Sequence, residues 1–313
     1  MLYLTEEEVR RLLPMRDCIG LMRTVFERLA AGEAVNQPRR RLMLPSRSTL
    51  HYMAASDGRY FGIKVYATNP QRGAHFLFLL YRAIDAAPLA ILEANGLGQI
   101  RTGAASGLAT SLLARADSRT VGMIGSGFQA RTQLEAMVAA MRVESAMVWS
   151  RSADKCAAFA RECSAQLGIA VRAAGSAEEA VRGADIVITA TNSKDPVVEA
   201  GWVASGAHIN AMGSNQATRR EIPAELVRRA GLIVVDSREQ SRMESGDLVL
   251  AFEEEDWSRT AELQEIVAGR RGRRSPGEIT LFESNGIAAE DVAAAALVYE
   301  RAVEAGVGRP VHS

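Results

Sequence analysis

Residues 121–130 read Val-Gly-Met-Ile-Gly-Ser-Gly-Phe-Gln-Ala, "VGMIGSGFQA". Val121–Ile124 is a short apolar run of the kind that forms a fully buried strand. Gly125-Ser-Gly-Phe-Gln-Ala130 follows as a tight turn with the GxGxxA pattern, and a helical pattern then runs to about Met141. Gly125 permits the sharp turn. Gly127 lets the backbone approach a pyrophosphate, whose charge a helix N-terminus stabilises. Ala130 stands where the fingerprint often has a third glycine, at the contact of helix with strand. A glycine loop alone is a weak signal. The strand before it, the helix after it and the next strand at Ser145–Trp149 together make it a dinucleotide-binding turn.

The same grammar continues downstream. A helix is expected at Ala153–Leu167, a strand at Ile169–Ala173, a helix at Ala177–Gly183 and strands at Ile186–Ala190 and His208–Ala211. A helix at Pro223–Ala230 and strands at Leu232–Val235 and Ile279–Phe282 follow. Strand–helix alternation at this spacing means a parallel sheet with helices on both faces, an α/β fold of the doubly wound Rossmann type. Upstream the pattern differs. Thr5-Glu-Glu-Glu8 is a capping box for a helix that ends near Pro14, and a second helix spans Arg16–Ala31. Short strands are expected at Arg41–Leu44, Thr49–Ala54, Tyr60–Tyr66, Phe76–Tyr81 and Leu89–Glu93, separated by turn residues such as Ser56-Asp57-Gly58. This half reads as α+β with a mostly antiparallel sheet. A small-residue helix at Arg101–Ala116 leads into the nucleotide domain, and a helix at Ala288–Ala305 returns to the first. The expected division is residues 1–116 with 288–313, and 117–287.

Composition bounds what such a protein does. In 313 residues, 37 Lys+Arg balance 37 Asp+Glu, so the formal net charge is zero and no polyanion such as nucleic acid is expected as a partner. Three cysteines without CxxC spacing fit a reducing compartment, the cytoplasm, and no disulfide framework. Four scattered histidines argue against a metal site. Phe76–Tyr81, the longest dense apolar run, is too short to span a bilayer. The loop Gly269-Arg-Arg-Gly-Arg-Arg274 reads as a solvated charge run.

The end of the second nucleotide-domain strand selects the cofactor. An NAD site usually places Asp or Glu there to accept from the ribose 2′-hydroxyl. Here Met147-Val-Trp149 ends in Ser150-Arg151-Ser152. Arg151 reads either as a surface arginine or as the partner of a 2′-phosphate, with the serines donating. The missing carboxylate favours NADP(H) over NAD(H). Three cations then offer a place for a substrate. Pro38-Arg39-Arg40-Arg41 precedes a strand, Lys64 lies inside Phe61-Gly-Ile-Lys-Val-Tyr66, and Arg101 opens the small-residue helix. Strand alternation alone could point Lys64 at solvent. Otherwise these cations bind a carboxylate, with arginine giving a bidentate fork. Arg101, at a helix start, could instead serve the cofactor phosphates.

In order, "PRRR", "GIKVY", "IRTGAAS", "GSGFQA", "HINAMGS", "SGD" and "LFESNGIAAED" resemble the ornithine cyclodeaminase/mu-crystallin family, from about Pro38 to Tyr299. The resemblance implies a homodimer with a substrate-binding and dimerisation domain beside a Rossmann domain. It implies Arg40, Lys64 and Arg101 as the carboxylate cluster, Arg40 because it stands two residues after Pro38 as in the mu-crystallin "QPVR". His51 falls at the substrate. Gly125, Gly127 and Gln129 carry over to the pyrophosphate turn, with Ser126 and Phe128 between them and Thr102 beside Arg101. Ser150, Arg151 and Ser152 fall where mu-crystallin members bind NADPH. Thr189, Thr191, Met212, Gly213 and Ser284 fall at the nicotinamide half.

Two departures bear on the activity. Cyclodeaminase members have a glutamate in "IELMP" where this chain has His51 in "LHYMA", and an aspartate in "GGD" or "GAD" where it has Gly213-Ser214-Asn215. Asn215 can position an amine but is a poor general base. The expected activity is therefore NAD(P)H-dependent reduction of a small, cyclic imino acid, with Lys64 and Asn215 at the chemistry. The alternatives are ornithine cyclodeamination to proline and ammonia with NAD recycled, and an NADP- or small-ligand-binding protein with little catalysis.

Overall fold

A computed structural model describes residues 1–213 and 215–311. The chain divides into two compact units, 1–102 with 286–313, and 103–285. The division falls inside the helix Asn95–Leu113, fourteen residues earlier than the boundary drawn from sequence. That helix begins six residues before the expected Arg101 start. The reason is a cap supplied from far away in sequence. The Glu6 carboxylate accepts from the backbone N–H of Asn95 (2.5 Å) and of Gly96 (2.7 Å), satisfying donors that a helix start leaves open.

The first unit is built on a sheet of β1 (Leu2–Leu4), β2 (Val35–Asn36), β3 (Arg40–Met43), β4 (Thr49–Ser56), β5 (Tyr60–Asn69), β6 (Arg72–Arg82) and β7 (Pro88–Glu93). The order is Arg309–Pro310, β1, β7, β6, β5, β4, β2, with β3 also paired to β4. Every pairing is antiparallel except β1 with β7. Thr5 starts the first helix with the expected capping box, accepting from Glu8 N while its own N–H donates to the Glu8 carboxylate at 2.8 Å. Such a cap is worth about 1 kcal/mol. The helices Met15–Ala31 and Ala288–Ala305 pack together, and the second also packs on β4 and β5.

The register of this sheet fixes what shares a face. Lys64 on β5 lies between Met53 on β4 and Phe78 on β6. Tyr66 lies between His51 and Phe76. Side chains alternate with period two, so His51, Met53, Lys64, Tyr66, Phe76 and Phe78 occupy one face.

The second unit holds an all-parallel, eight-stranded sheet. Its strands are β8 (Thr120–Ile124), β9 (Ser145–Trp149), β10 (Ala170–Ala173), β11 (Ile186–Thr189), β12 (His208–Ala211), β13 (Leu232–Val235), β14 (Thr260–Glu262) and β15 (Thr280–Glu283). Their order is β10-β9-β8-β11-β12-β15-β13-β14. All four residues of β11, β12, β13 and β15 are buried, as expected of strands covered on both faces. The core around them gathers Val187, Ile209, Ile233 and Leu281 with Leu226, Leu248 and Trp257. Strand order reverses between β8 and β11. Ligands in such sheets sit outside the carboxyl ends of the strands at this point.

Several short elements were not read from sequence, among them β14 and the helices Arg238–Glu244 and Leu263–Val267. Each is shorter than two and a half helical turns or only three residues long, so hydrophobic period carries no signal. The arginine loop is mostly exposed, as read, and two of its arginines also reach back to the protein. Arg273 donates to the carbonyl of Leu113 (2.7 Å) and to Thr280 Oγ1 (3.0 Å), and Arg271 to the Thr260 carbonyl (2.9 Å). Its guanidinium groups brace carbonyls at the bottom of the parallel sheet. Among the described residues no helix is long and apolar enough to cross a membrane.

Candidate active site

At the switch point a groove of about 450 Å³ opens over the carboxyl ends of β8, β9, β11 and β12. It is lined by Ile124–Gln129, Trp149–Arg151, Ala190–Ser193, Val197, Met212 and Gly213. Gly125 has φ +115°, and a Cβ there would collide with the Ala190 carbonyl, so the turn requires glycine. Gly127 is different. A Cβ there would meet nothing within 4 Å, so its absence leaves room beside the N-terminus of the helix Phe128–Ala140. No side chain caps that helix. A helix start with no side-chain cap, open backbone and the helix dipole together suit a pyrophosphate. Buried oxygens add to the fit. Gln129 Oε1, Thr189 Oγ1 and Ser284 Oγ have no hydrogen-bond partner among the described residues. A bound dinucleotide supplies donors and acceptors of that kind.

The β9 tip carries no carboxylate into the groove. Ser126 Oγ lies 2.9 Å from Ser150 Oγ, which lies 3.2 Å from the Ser152 carbonyl, and Arg151 is exposed beside them. Ser152 itself is used as the N-cap of the helix Ala153–Leu167, accepting from Lys155 N. Thr191, Met212 and Gly213 line the groove, whereas Thr189 and Ser284 are buried at the ends of β11 and β15 beneath it. Asn215 is half-buried two residues past Gly213, and Ser214 lies outside the described residues. Sequence reasoning missed Ile124, Trp149, Ala190, Asn192, Ser193 and Val197. Their signal was position, since they follow strand ends on the two sides of the switch point.

The first unit holds the cation cluster. Lys64 is 4 % exposed and Arg101 5 %. Lys64 Nζ donates to Asp291 Oδ1 at 2.9 Å, and Arg101 Nε donates to the same oxygen at 2.9 Å. Arg101 Nη1 donates to Glu290 Oε2 at 2.6 Å. Both acids are fully buried in the first turn of the helix Ala288–Ala305. The solvent-facing reading of Lys64 is thereby removed. Burial lowers the Lys64 pKa from 10.5 to about 8, with Asp291 opposing that shift and Arg101 and Arg39 adding to it. Asp291 is held below the usual carboxylate range: burial raises its pKa, but Arg101 and Lys64 outweigh it. Close packing reinforces the arrangement. A Cβ on Gly98 would lie 2.7 Å from Lys64 Nζ, and one on Gly286 would collide with the Arg101 guanidinium.

Arg101 is therefore not at a helix start. It lies in the second turn, committed to two carboxylates. Its neighbour Thr102 turns its hydroxyl back to the Gly98 carbonyl at 2.7 Å. Arg40 also differs from expectation. It pairs with Tyr52, and Lys64 pairs with Met53, so alternation puts Arg40 on the opposite face of the sheet, where it is exposed. Arg39 is the buried member of "PRRR", 6 % exposed, and donates to the Gly286 carbonyl at 3.3 Å. The structure thus brings Arg39 to Lys64 and Arg101. No sequence pattern separates Arg39 from Arg40; only the start of β3 does.

His51 lies one strand over. Its ring stacks on Tyr66 at 4.4 Å, Tyr66 stacks on Phe76 at 4.3 Å, and Lys64 Nζ is 5.5 Å from the Phe76 centroid. His51 Nε2 is 3.0 Å from Thr68 Oγ1. Burial, then Arg41 and Arg39, lower its pKa to about 4. His51 is a neutral, flat wall beside a cation and not a proton donor at neutral pH. The acids Glu290 and Asp291 were the other omission; two carboxylates in an alanine-rich helix demanded partners.

The sequence pattern of the ornithine cyclodeaminase/mu-crystallin family matches residues 1–306. A Δ1-pyrroline-2-carboxylate reductase of Bacillus cereus is 33 % identical over 324 aligned positions, covering 99 % of each chain. The solved structure of the Thermococcus litoralis Δ1-pyrroline-2-carboxylate reductase, in complex with NADH and L-proline, superposes with a TM-score of 0.94 at 38 % identity, over 99 % of this chain and 100 % of that one. An archaeal alanine dehydrogenase dimer with bound NAD gives a TM-score of 0.93 at 33 % identity, over 100 % and 99 %. The groove for a nicotinamide dinucleotide, the buried Lys64–Arg101 cluster and the match across nearly its whole length agree: this chain belongs to the ornithine cyclodeaminase/mu-crystallin family.

Proposed function

We propose that the protein is an NAD(P)H-dependent reductase of a small cyclic imino acid of the Δ1-pyrroline-2-carboxylate type. The observation that carries this reading is the buried cluster of the first unit. Lys64 and Arg101 pair with two buried carboxylates, Glu290 and Asp291, and the buried Arg39 joins them at the Gly286 carbonyl, so cationic donors converge on one place. A substrate carboxylate is an acceptor suited to such donors, and a charge-assisted contact in a buried place is strong and directional. The stacked His51, Tyr66 and Phe76 offer a flat apolar wall on the same face, suited to a small planar ring. When bound, the nicotinamide supplies a hydride to the imine carbon. The nitrogen takes up one proton, giving the cyclic amino acid. Lys64, charged below about pH 8, holds the carboxylate and keeps the imine in its protonated, electrophilic form by supplying the proton from Nζ.

Cyclodeamination is disfavoured by chemistry. It starts by oxidising an amine, which needs a base, and Asn215 and the neutral His51 stand where cyclodeaminases carry acids. The reading is tested with 4-deuterated NAD(P)H and Δ1-pyrroline-2-carboxylate. Deuterium should appear at Cα of proline. Product without deuterium would reject direct hydride transfer.

We assign NADP(H) as the preferred cofactor, on the carboxylate-free β9 tip with Arg151 and Ser150 in the groove lining. Arg151→Ala should raise KM for NADPH about tenfold, the value of one charge-assisted contact, and change KM for NADH less than about twofold. Equal effects on both cofactors would assign the preference elsewhere. The buried, free Cys18, Cys156 and Cys163 suit a reducing cytoplasm. A homodimer is supported by the β3–β4 hairpin, where Leu42, Met43, Leu44 and Leu50 are exposed by 55, 75, 49 and 38 %. Clusters of this kind mark association surfaces. Met43→Glu with Leu42→Lys should convert a dimer to a monomer in light scattering; an unchanged mass would move the interface elsewhere.

A further inference from the structure

We infer that Glu221 is a positioning residue of the cofactor site, a buried carboxylate that holds the nicotinamide-groove wall in its binding shape. This rests on the dinucleotide reading of the groove alone and not on any substrate. Glu221 is fully buried and does not line the groove. Three residues that do line it are tied to Glu221. The carboxylate accepts from Thr191 N at 2.5 Å through Oε1 and from Gly213 N at 2.7 Å through Oε2. Its backbone carbonyl accepts from Val197 N at 2.7 Å. The strand ends of β11 and β12 are thus fastened to one side chain.

Gly213 shows how tight the fastening is. A Cβ there would collide with both the Glu221 carboxylate and the Thr191 carbonyl. Glu221 is itself located from behind, because Asp247 Oδ1 accepts from the backbone N–H of Glu221 (2.7 Å) and of Ile222 (2.8 Å). Two backbone donors aimed at two oxygens of one group require both oxygens to be acceptors. Only the ionised carboxylate meets this fully.

The charge is held against opposition. Burial raises the Glu221 pKa from 4.5 to about 7, the contacts with Thr191 and Gly213 oppose that, and the Asp247 charge adds to it. Asp247 is raised to about 6 by its own burial, against the pull of Arg220. Glu283, whose Oε1 accepts from Ser245 Oγ at 2.8 Å, is raised by burial and by Asp247, Glu221 and Asp236. Among the described groove-lining residues only Arg151 is ionisable. Loss of the Glu221 charge is therefore expected to loosen the wall as pH falls through about 7.

The test is NADH affinity by fluorescence titration, with NADH chosen because it has no 2′-phosphate that titrates in this range. In Glu221→Gln one acceptor becomes a donor facing a backbone N–H. Its Kd should rise on the order of ten- to a hundredfold, with the circular dichroism of the apo protein unchanged. Glu221→Asp, which keeps the charge, should recover part of the loss. The wild-type protein supplies a readout that needs no variant: Kd should rise as pH falls from 8.5 to 6, and the Glu221→Gln profile should be flat. A Kd within about twofold of wild type in Glu221→Gln, or a wild-type Kd independent of pH, overturns the inference. NADH binding with no turnover of any imino acid would reject the substrate reading and leave this one standing.

Discussion

Lys64→Ala should lower kcat/KM for a cyclic imino acid by a factor on the order of 10³, while Kd for the cofactor stays unchanged. The size follows from two losses at one atom. Nζ lies 5.5 Å from the Phe76 ring of the aromatic wall, and it shares Asp291 Oδ1 with Arg101. Removing it takes away a carboxylate contact and the proton held there. The wild-type pH profile should follow the same group: kcat/KM falls as pH rises through about 8, where Lys64 loses its charge. Asp291 is what raises that pKa against burial, so Asp291→Asn should move the falling limb to lower pH. Stability should run the other way. The folded pKa is depressed from 10.5 to about 8, so the native state binds the proton less tightly than the unfolded chain does. The Lys64 contribution to stability therefore rises with pH between about 8 and 10.5. Activity and stability that fell together across this window would contradict the assignment.

Arg101→Met should be the most destabilising single substitution in the first unit, by roughly 3–5 kcal/mol in urea unfolding. Methionine fills similar volume, so the loss is electrical. Glu290 loses its 2.6 Å donor and Asp291 loses the Arg101 cation from its Oδ1, with both acids fully buried. An uncompensated buried charge is far costlier than a missing ion pair. The sign with pH is fixed. Burial favours the neutral form of an acid that has lost its cation, so protonation should favour folding of the variant and the deficit should shrink as pH falls. Unfolding at pH 8 and at pH 5.5 checks this. A deficit under about 1 kcal/mol, or one independent of pH, would mean that the network is not held by charge.

The fold was legible because its signals are local. The glycine turn at Gly125–Gly127, the apolar runs of β8, β11 and β12 and the Thr5 capping box each declare themselves within a few residues. The cofactor groove followed, since a strand order that reverses beside a glycine turn has one place for a dinucleotide. What was not legible depended on distant partners. The start of the helix Asn95–Leu113 is set by Glu6, about ninety residues away, and that start decides where Arg101 stands. Arg39 and Arg40 differ only by strand register. The role of Glu221 arises from backbone donors 30 and 8 residues before it, on two strand ends that only the sheet brings together.

The central claim is net reduction of an imine at the expense of the nicotinamide. It is tested most directly by absorbance at 340 nm with NADPH, the purified protein and Δ1-pyrroline-2-carboxylate, with proline and ammonia measured in parallel. The account predicts oxidation of one NADPH for each proline formed, and no ammonia or proline from ornithine. Proline and ammonia from ornithine with no net change at 340 nm, and no oxidation with the imino acid, would contradict it.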